Sequence, residues 1–291
     1  MQENQESITQ GNIETETQDL QPMNLSDILD GMFTLYRKHL SLYLNIVVVY
    51  FIFSYITEKL LLFSLLNTVT DGNIAALFLF TIASVLLSFY IVGVLSYATA
   101  HVFLGQNISA GNAFLHTLRL FAKLLGCSIV YSLVCFGLFI TIIGIPFAIY
   151  LFIRWGFYTL PVLLEEKTVM GSIKRSSELV KGSWLRVFCI VLLIFLIWQM
   201  IQHIFSTSIG VVFSLIPVAH EMQDVSMIEN FRRFIAPTPV DIGWPIYLIR
   251  SFITMGIHSI LLPIASIGST LLYFDLRIRK DAYDLEMRTT N

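Results

Sequence analysis

Residues 74–98, IAALFLFTIASVLLSFYIVGVLSYA, form a 25-residue stretch without a single charged side chain. A helix needs roughly 20 apolar residues to cross the ~30 Å hydrocarbon core of a bilayer, so this stretch predicts a transmembrane helix. Gly144 and Pro146 separate two further apolar runs and favour a tight hairpin there. We therefore predict an all-α integral membrane fold, a six-transmembrane-helix bundle with spans at about 40–63, 74–98, 124–143, 145–164, 187–216 and 246–274.

The overall composition also indicates a membrane protein. The 291 residues are 56% hydrophobic and only 13% charged, whereas soluble domains carry about 25% charged residues. The net charge of −2 gives no basic excess that would favour a nucleic-acid partner. Cys127, Cys135 and Cys189 lie inside apolar runs without a CxxC spacing. Neither a disulfide framework, nor a metal site, nor a cofactor is expected.

The distribution of Lys and Arg predicts the orientation of the spans. With a cytoplasmic N-terminus, the inner segments hold 13 of these residues and the outer loops hold 3. This bias predicts that both termini are cytoplasmic. Residues 1–21 contain five acids and no Lys or Arg, which favours a disordered acidic tail over a signal peptide. Residues 275–291 are predicted to be a cytoplasmic helical extension of the last span.

Three segments that precede the odd-numbered spans share one pattern. Asn24, Ser109 and Thr168 are candidate N-caps, and apolar residues follow at helical spacing, although serines replace several of them in the third segment. The pattern predicts three units, each an amphipathic interfacial helix followed by a membrane hairpin. The alternative is that these are the ordinary amphipathic connectors of a multi-span protein.

Three segments carry a family resemblance: PMNLSDILDGMFTLYRKH (22–39), RWGFYTLPVLLEEKTVMGSIKRSSELVKGSW (154–184) and LLYFDLRIRKDAYDLEMR (271–288). Together they resemble the membrane domain of bacterial glycerophosphodiester phosphodiesterases, and the stand-alone membrane proteins that share it, over residues 22–288. The resemblance implies a bacterial cell-membrane module concerned with lipids or the cell envelope. Fused relatives carry a catalytic barrel after this domain. Only 17 residues follow Phe274 here, so phosphodiesterase activity is not expected.

Arg154 is the first candidate for a lipid-binding residue. It lies ten residues before Leu164, about 15 Å by helical rise, and is therefore predicted near the bilayer midplane. A charge there is costly, and the middle of the other spans offers no carboxylate. Carbonyl or tyrosine oxygens could satisfy it, or it could bind an anion such as a phosphate. The connector residues that follow either set orientation or attract anionic headgroups: Lys174, Arg175, Lys181 and Arg186.

Polar residues also line two neighbouring spans. Gln199, His203 and Ser206 share one face of the fifth span, and the sixth carries a similar face with Ser251, Thr254 and His258. These faces predict interhelical hydrogen bonds, with a water-filled cavity or polar ligand path as the alternative. Two histidines without a third ligand make a poor zinc site.

Charged residues in the C-terminal motif are spaced four apart: Asp275–Arg279, Arg277–Asp281, Lys280–Asp284 and Asp284–Arg288. Such pairs stabilise a solvated helix. The alternative is a docking surface for the third amphipathic helix or for a membrane or cytoplasmic protein partner.

These observations favour a non-catalytic module that binds or organises membrane lipids or envelope partners. The HExxH, GxSxG and phosphate-loop motifs are absent from the sequence, and the Glu165–Glu166 pair is expected to be solvated. A transporter for a lipid or a small polar or anionic solute is the first alternative, although three units differ from the usual paired inverted halves. An intramembrane enzyme acting on lipids is the second alternative, and it lacks a nucleophile–base pair.

Overall fold

The computed structural model describes residues 22–66, 71–214, 232 and 237–289, with side chains in the last helix described as far as Lys280. The predicted acidic tail, 1–21, and most of the predicted outer loop lie outside the described residues. Within them the chain is helical without strands, and we number the helices as follows: α1 Leu25–Lys38, α2 Leu40–Leu66, α3 Asp71–Phe103, α4 Ala110–Phe139, α5 Gly144–Trp155, α6 Thr159–Leu164, α7 Val169–Val180, α8 Trp184–Ser214, α9 Pro239–Ile242 and α10 Trp244–Thr289.

Six helical segments are long and apolar enough to cross a membrane, which confirms the predicted all-α six-helix membrane bundle. Helices α5 and α6 together supply the fourth, and the six segments are Leu40–Ser64, Ala75–Phe103, Ala110–Phe139, Gly144–Leu164, Trp184–Phe213 and Trp244–Lys280. Large apolar side chains such as Phe78, Leu133 and Ile142 are 67%, 67% and 87% exposed. Surfaces of this kind need lipid as their solvent, and the chain is therefore a multi-pass membrane protein.

The three segments that precede the odd-numbered spans begin where the sequence predicts. Asp27 Oδ2 accepts a hydrogen bond from the Asn24 amide at 2.7 Å, and the Ser109 and Thr168 hydroxyls accept from amides three residues on at 3.2 and 3.3 Å. Breaks at His39 and at residues 181–183 separate α1 and α7 from the spans that follow. We call the end of the bundle that carries α1 and α7 the connector end.

The second segment differs, because it continues into the third span as the single helix α4. No proline lies between residues 110 and 139 to interrupt the backbone hydrogen bonds there. Lys123, the charge nearest the expected boundary, is accommodated without a break, since its Nζ donates to the Glu166 carbonyl at 3.0 Å. The three-unit repeat stays a prediction.

Helix α10 forms the centre of the bundle and packs against α1, α2, α3 and α8. Its residues Ile267, Leu271 and Leu272 are at most 1% exposed. At Gly268, a Cβ atom would lie 2.7 Å from Met32 Sδ and 3.0 Å from Ile194 Cδ1. The absence of a side chain there lets α1 and α8 approach α10 closely, as small residues commonly do between membrane helices.

Candidate functional site

The fourth span is broken between α5 and α6, and α7 supplies the partners for the opened backbone. The Ser176 hydroxyl donates to the Arg154 carbonyl at 2.9 Å and accepts from the Phe157 amide at 3.2 Å. Ser176 is fully buried. Broken membrane helices persist only where other groups satisfy the freed backbone in this way. The serine that weakens the apolar pattern of the third segment therefore joins α7 to the break.

Contacts with α8 show the level of Arg154 within the bundle. Trp184, the first residue of α8, donates from Nε1 to the Tyr150 carbonyl at 3.2 Å, and the two rings lie 5.5 Å apart. Arg154 lies one turn beyond Tyr150 toward the connector end. It is therefore level with the beginning of the fifth span rather than with the middle of the bundle. The depth of Arg154 in the bilayer stays a prediction.

Arg154 is partly exposed, and Tyr150 is the only described residue whose side chain its guanidinium contacts. Nη1 donates to the Tyr150 hydroxyl at 3.3 Å, and the guanidinium carbon lies 5.7 Å from the ring centroid. Among the residues that the structure describes, no carboxylate lies within ion-pair distance of Arg154. The cation thus keeps most of its five N–H donors for another partner.

An apolar groove of about 400 Å³ runs between α5 and α8, and its wall includes Ile153, the residue before Arg154. We call it the α5–α8 groove, and every residue that lines it is apolar: Phe139, Ile149, Phe152, Ile153, Phe188, Val191, Leu192 and Phe195. Trp184 stacks on Phe188 at 5.3 Å. Aromatic rings therefore continue from Tyr150 through Trp184 into the groove. The site is amphiphilic, with a cation at the connector end and apolar walls along the span.

Two of the four predicted basic connector residues, Arg175 and Arg186, have partners within the protein. Arg175 belongs to a cluster around Glu165 that also includes Lys167. Arg175 Nε lies 3.7 Å from Glu165 Oε1, and Lys167 Nζ lies 2.8 Å from Glu165 Oε2. Tyr273 also donates to Glu165 Oε1 at 2.8 Å. The Glu165 side chain is only 18% exposed, so the expectation that it is solvated is wrong.

The environment of Glu165 favours its ionised form. Burial opposes ionisation, but the hydrogen bonds from Lys167 and Tyr273 and the charges of Lys167 and Arg175 hold the pKa of this carboxyl below its ordinary value. Glu165 is therefore an ionised anchor between the end of the fourth span, α7 and α10.

Arg186, the other paired residue, belongs to a second ionic cluster, centred on Asp275. Arg186 Nη1 lies 2.9 Å from Asp275 Oδ2, and Arg279 Nε donates to Oδ1 at 2.9 Å, which is the predicted spacing of four. The Met23 amide donates to Asp275 Oδ1 at 2.8 Å, and both arginines donate to the Met23 carbonyl at 2.9 Å.

Asp275 is fully buried, so the prediction of a solvated motif is wrong for this residue. The cluster instead fastens the start of α1 to α8 and α10. Arg277 has contacts of its own, and the Asp284 side chain lies outside the described residues. Lys174 and Lys181 remain exposed.

The polar faces of α8 and α10 meet less directly than predicted. Gln199 Nε2 and His203 Nε2 lie 3.3 Å apart on the same helix. The hydrogen bond between helices comes from Gln202, a polar residue of the fifth span outside the predicted face, and runs to the His258 carbonyl at 3.5 Å. Ser206, Ser251 and Thr254 do come together, since they line one cleft of about 140 Å³ with Arg250. Across the described side chains, no group of three His, Cys, Asp or Glu is placed to hold a metal ion.

Sequence reasoning identified Arg154 but missed the residues that make it a site. Tyr150 had a detectable signal, because it lies one turn before Arg154 on the same helix face. Trp184 and the groove residues gave no such signal, since their contacts join distant parts of the chain. Comparison of the chain with known protein families, curated proteins and solved structures finds no match.

Proposed function

We propose that this multi-pass membrane protein is a lipid-binding module. An acyl chain occupies the α5–α8 groove, and the lipid phosphate contacts Arg154. The observation that carries the proposal is a cation without a carboxylate partner among the described residues, Arg154, directly after Ile153 in the wall of a wholly apolar groove of about 400 Å³. A phospholipid has the same two parts in the same order, a charged phosphate followed by hydrocarbon.

The chemistry of the site favours a phosphate over other headgroup atoms. A guanidinium presents a planar set of donors that matches phosphate oxygens and can bind two of them at once. Tyr150 and Trp184 are of the residue types that concentrate at membrane interfaces, because each ring is apolar with a polar tip. The exposed Lys174 and Lys181 add attraction for anionic lipids, worth roughly 1 kcal/mol per basic residue near the surface.

The lipid bound in this way belongs to one leaflet. The bias of basic residues supports a connector end that faces the cytoplasm, with both termini on that side. Together with the resemblance to bacterial phosphodiesterase membrane domains, this supports a role in the inner leaflet of a bacterial cell membrane. The role is to hold or organise a lipid, alone or for an envelope partner.

Native mass spectrometry of the purified protein with defined lipids tests the proposal. Phosphatidylglycerol and diacylglycerol with the same acyl chains are compared on wild type, Arg154→Gln, Leu192→Trp and the exposed control Arg119→Gln. Loss of a charge-assisted contact weakens phosphatidylglycerol retention about tenfold in Arg154→Gln. Leu192→Trp fills the groove and lowers retention of both lipids.

The control Arg119→Gln retains both lipids as wild type does, because Arg119 is remote from the groove lining. Equal retention of phosphatidylglycerol by Arg154→Gln and Arg119→Gln would contradict the proposal. So would a wild-type protein that retains diacylglycerol as strongly as phosphatidylglycerol.

A further inference from the structure

A second cavity, of about 360 Å³, lies between α2, α8 and α10 and is independent of Arg154. Its lining residues are Tyr50, Glu58, Trp198, Met255, His258, Ser259 and Leu262. Glu58 lies 18 residues after the start of α2, and His258 lies 17 residues before Asp275. At 1.5 Å per residue these separations are about 27 and 25 Å, close to the ~30 Å thickness of the hydrocarbon core. The polar part of the cavity is therefore at the level of the leaflet opposite the connector end.

Trp198 lines this cavity with a buried hydrogen-bond donor that is not used. Its Nε1 has no hydrogen-bond partner among the described residues, and Gln202 Oε1, one turn further along α8, is likewise buried without one. Gln202 adjoins the cavity, because its Nε2 donates to the carbonyl of the lining residue His258. A buried N–H without an acceptor is destabilising and uncommon in folded proteins. We therefore expect a ligand in the cavity to supply the acceptor for the Trp198 N–H.

Glu58 gives the cavity a carboxylate whose charge is already balanced. Lys59 Nζ lies 2.8 Å from Glu58 Oε1, and the Tyr247 hydroxyl donates to the same oxygen at 3.3 Å. The Lys59 ammonium is held in place, 4.4 Å from the Tyr247 ring centroid and 5.0 Å from that of Tyr55. Lys59 and Tyr247 both contact Glu58 Oε1, so Glu58 Oε2 can accept further hydrogen bonds.

These features together favour a ligand that carries one positive and one negative charge. A ligand with a net charge would leave the balanced Glu58–Lys59 pair with an excess, whereas a zwitterion would not. An ammonium suits the Glu58 carboxylate, and a phosphate or ester oxygen suits the Trp198 N–H. Met255 and Leu262 provide apolar wall for hydrocarbon. We propose that this cavity binds a zwitterionic phospholipid of the opposite leaflet, with its ammonium at Glu58 and a phosphate or ester oxygen at Trp198.

The test compares phosphatidylethanolamine with phosphatidylglycerol of the same acyl chains, in equimolar competition for the purified full chain by native mass spectrometry. With the α5–α8 groove filled by Leu192→Trp, the protein retains phosphatidylethanolamine preferentially. Trp198→Phe keeps the ring and removes only the N–H, and it weakens phosphatidylethanolamine retention about fivefold, as expected for one hydrogen bond. The matched control Trp244→Phe, a tryptophan 42% exposed at the start of α10 and outside the cavity, leaves retention unchanged.

A second variant changes the sign of the preference. Glu58→Gln leaves the Lys59 charge unbalanced, so the preference moves toward the anionic phosphatidylglycerol. All of these variants are compared in the Leu192→Trp background, in which the α5–α8 groove is filled, so that the retained lipid reports this cavity. Equal retention of the two lipids by the Leu192→Trp protein, or equal effects of Trp198→Phe and Trp244→Phe in that background, would overturn the inference. So would an unchanged preference in a folded Glu58→Gln protein.

Discussion

At the residue scale, the Asp275 carboxylate joins three segments that are far apart in the sequence. Its contacts reach Arg186 on α8, Arg279 on its own helix and the Met23 amide before α1. Sequence spacing revealed only the Arg279 pair, because that pair is local. The other two contacts depend on where α1 and α8 pack, and they turn an apparently solvated acid into a buried anchor.

Replacing Asp275 by Ala should destabilise the protein strongly. Two arginines and the Met23 amide lose their common acceptor, and breaking a buried ion pair from one side costs about 3 kcal/mol or more. Thermal unfolding of the detergent-solubilised protein measures the effect, with Asp30→Ala as an exposed control on α1. Similar unfolding temperatures for the two variants would show that the Asp275 cluster contributes little.

Glu165 predicts a dependence of stability on pH. Because its pKa is lower in the folded protein than in the unfolded chain, its ionised form stabilises the fold at neutral pH. That contribution is complete at pH values above the pKa of Glu165 in the unfolded chain, about 4.3. It is lost as the pH falls through the lower pKa of Glu165 in the folded protein. We expect Glu165→Gln to unfold at a lower temperature than wild type at pH 7, with a difference that shrinks as the pH falls toward 3. A difference that does not depend on pH would contradict this origin.

At the element scale, the break in the fourth span depends on α7. A membrane helix can open its backbone only where a neighbouring group replaces the lost hydrogen bonds, and the Ser176 hydroxyl does so on both sides of the break. The pattern of apolar residues in α7 could not reveal this, because a serine on the buried face only makes the helix less amphipathic.

Ser176→Ala should therefore destabilise the protein more than its neighbour Ser177→Ala. The first variant leaves a buried carbonyl and a buried amide without their shared partner, which costs about 1–3 kcal/mol for such groups. The Ser177 side chain makes no hydrogen bond to any residue the structure describes, so its loss should be nearly neutral. Thermal unfolding of both variants under identical conditions decides the matter, and equal losses would argue against a special role for Ser176.

At the scale of the whole molecule, an even number of spans predicts that both ends of the chain lie on the same side of the membrane. The positive-inside bias predicts that this side is the cytoplasm. In a background without Cys127, Cys135 and Cys189, a membrane-impermeant maleimide on intact cells should label Val240→Cys and not Gln106→Cys. Val240 is 69% exposed before α10, and Gln106 is exposed at the connector end. The reverse labelling would invert the topology.

The sequence by itself determined the solvent, the helical class and the number of spans. These follow from long uncharged segments, because a backbone in hydrocarbon must satisfy its own hydrogen bonds within each helix. It also determined where α1, α4 and α7 begin, since an N-cap is a contact between residues three positions apart. It identified Arg154 as unusual from its apolar surroundings alone.

The tertiary structure alone decided what surrounds these residues. The level of Arg154, the burial of Asp275, the ionic anchor at Glu165 and the cavity with the unused Trp198 N–H all depend on contacts between segments distant in the chain. Such contacts depend on which helices pack together and at what height. Hydrophobic patterns specify which segments enter the membrane, but between helices already in lipid the choice of neighbours depends on close packing and a few polar contacts.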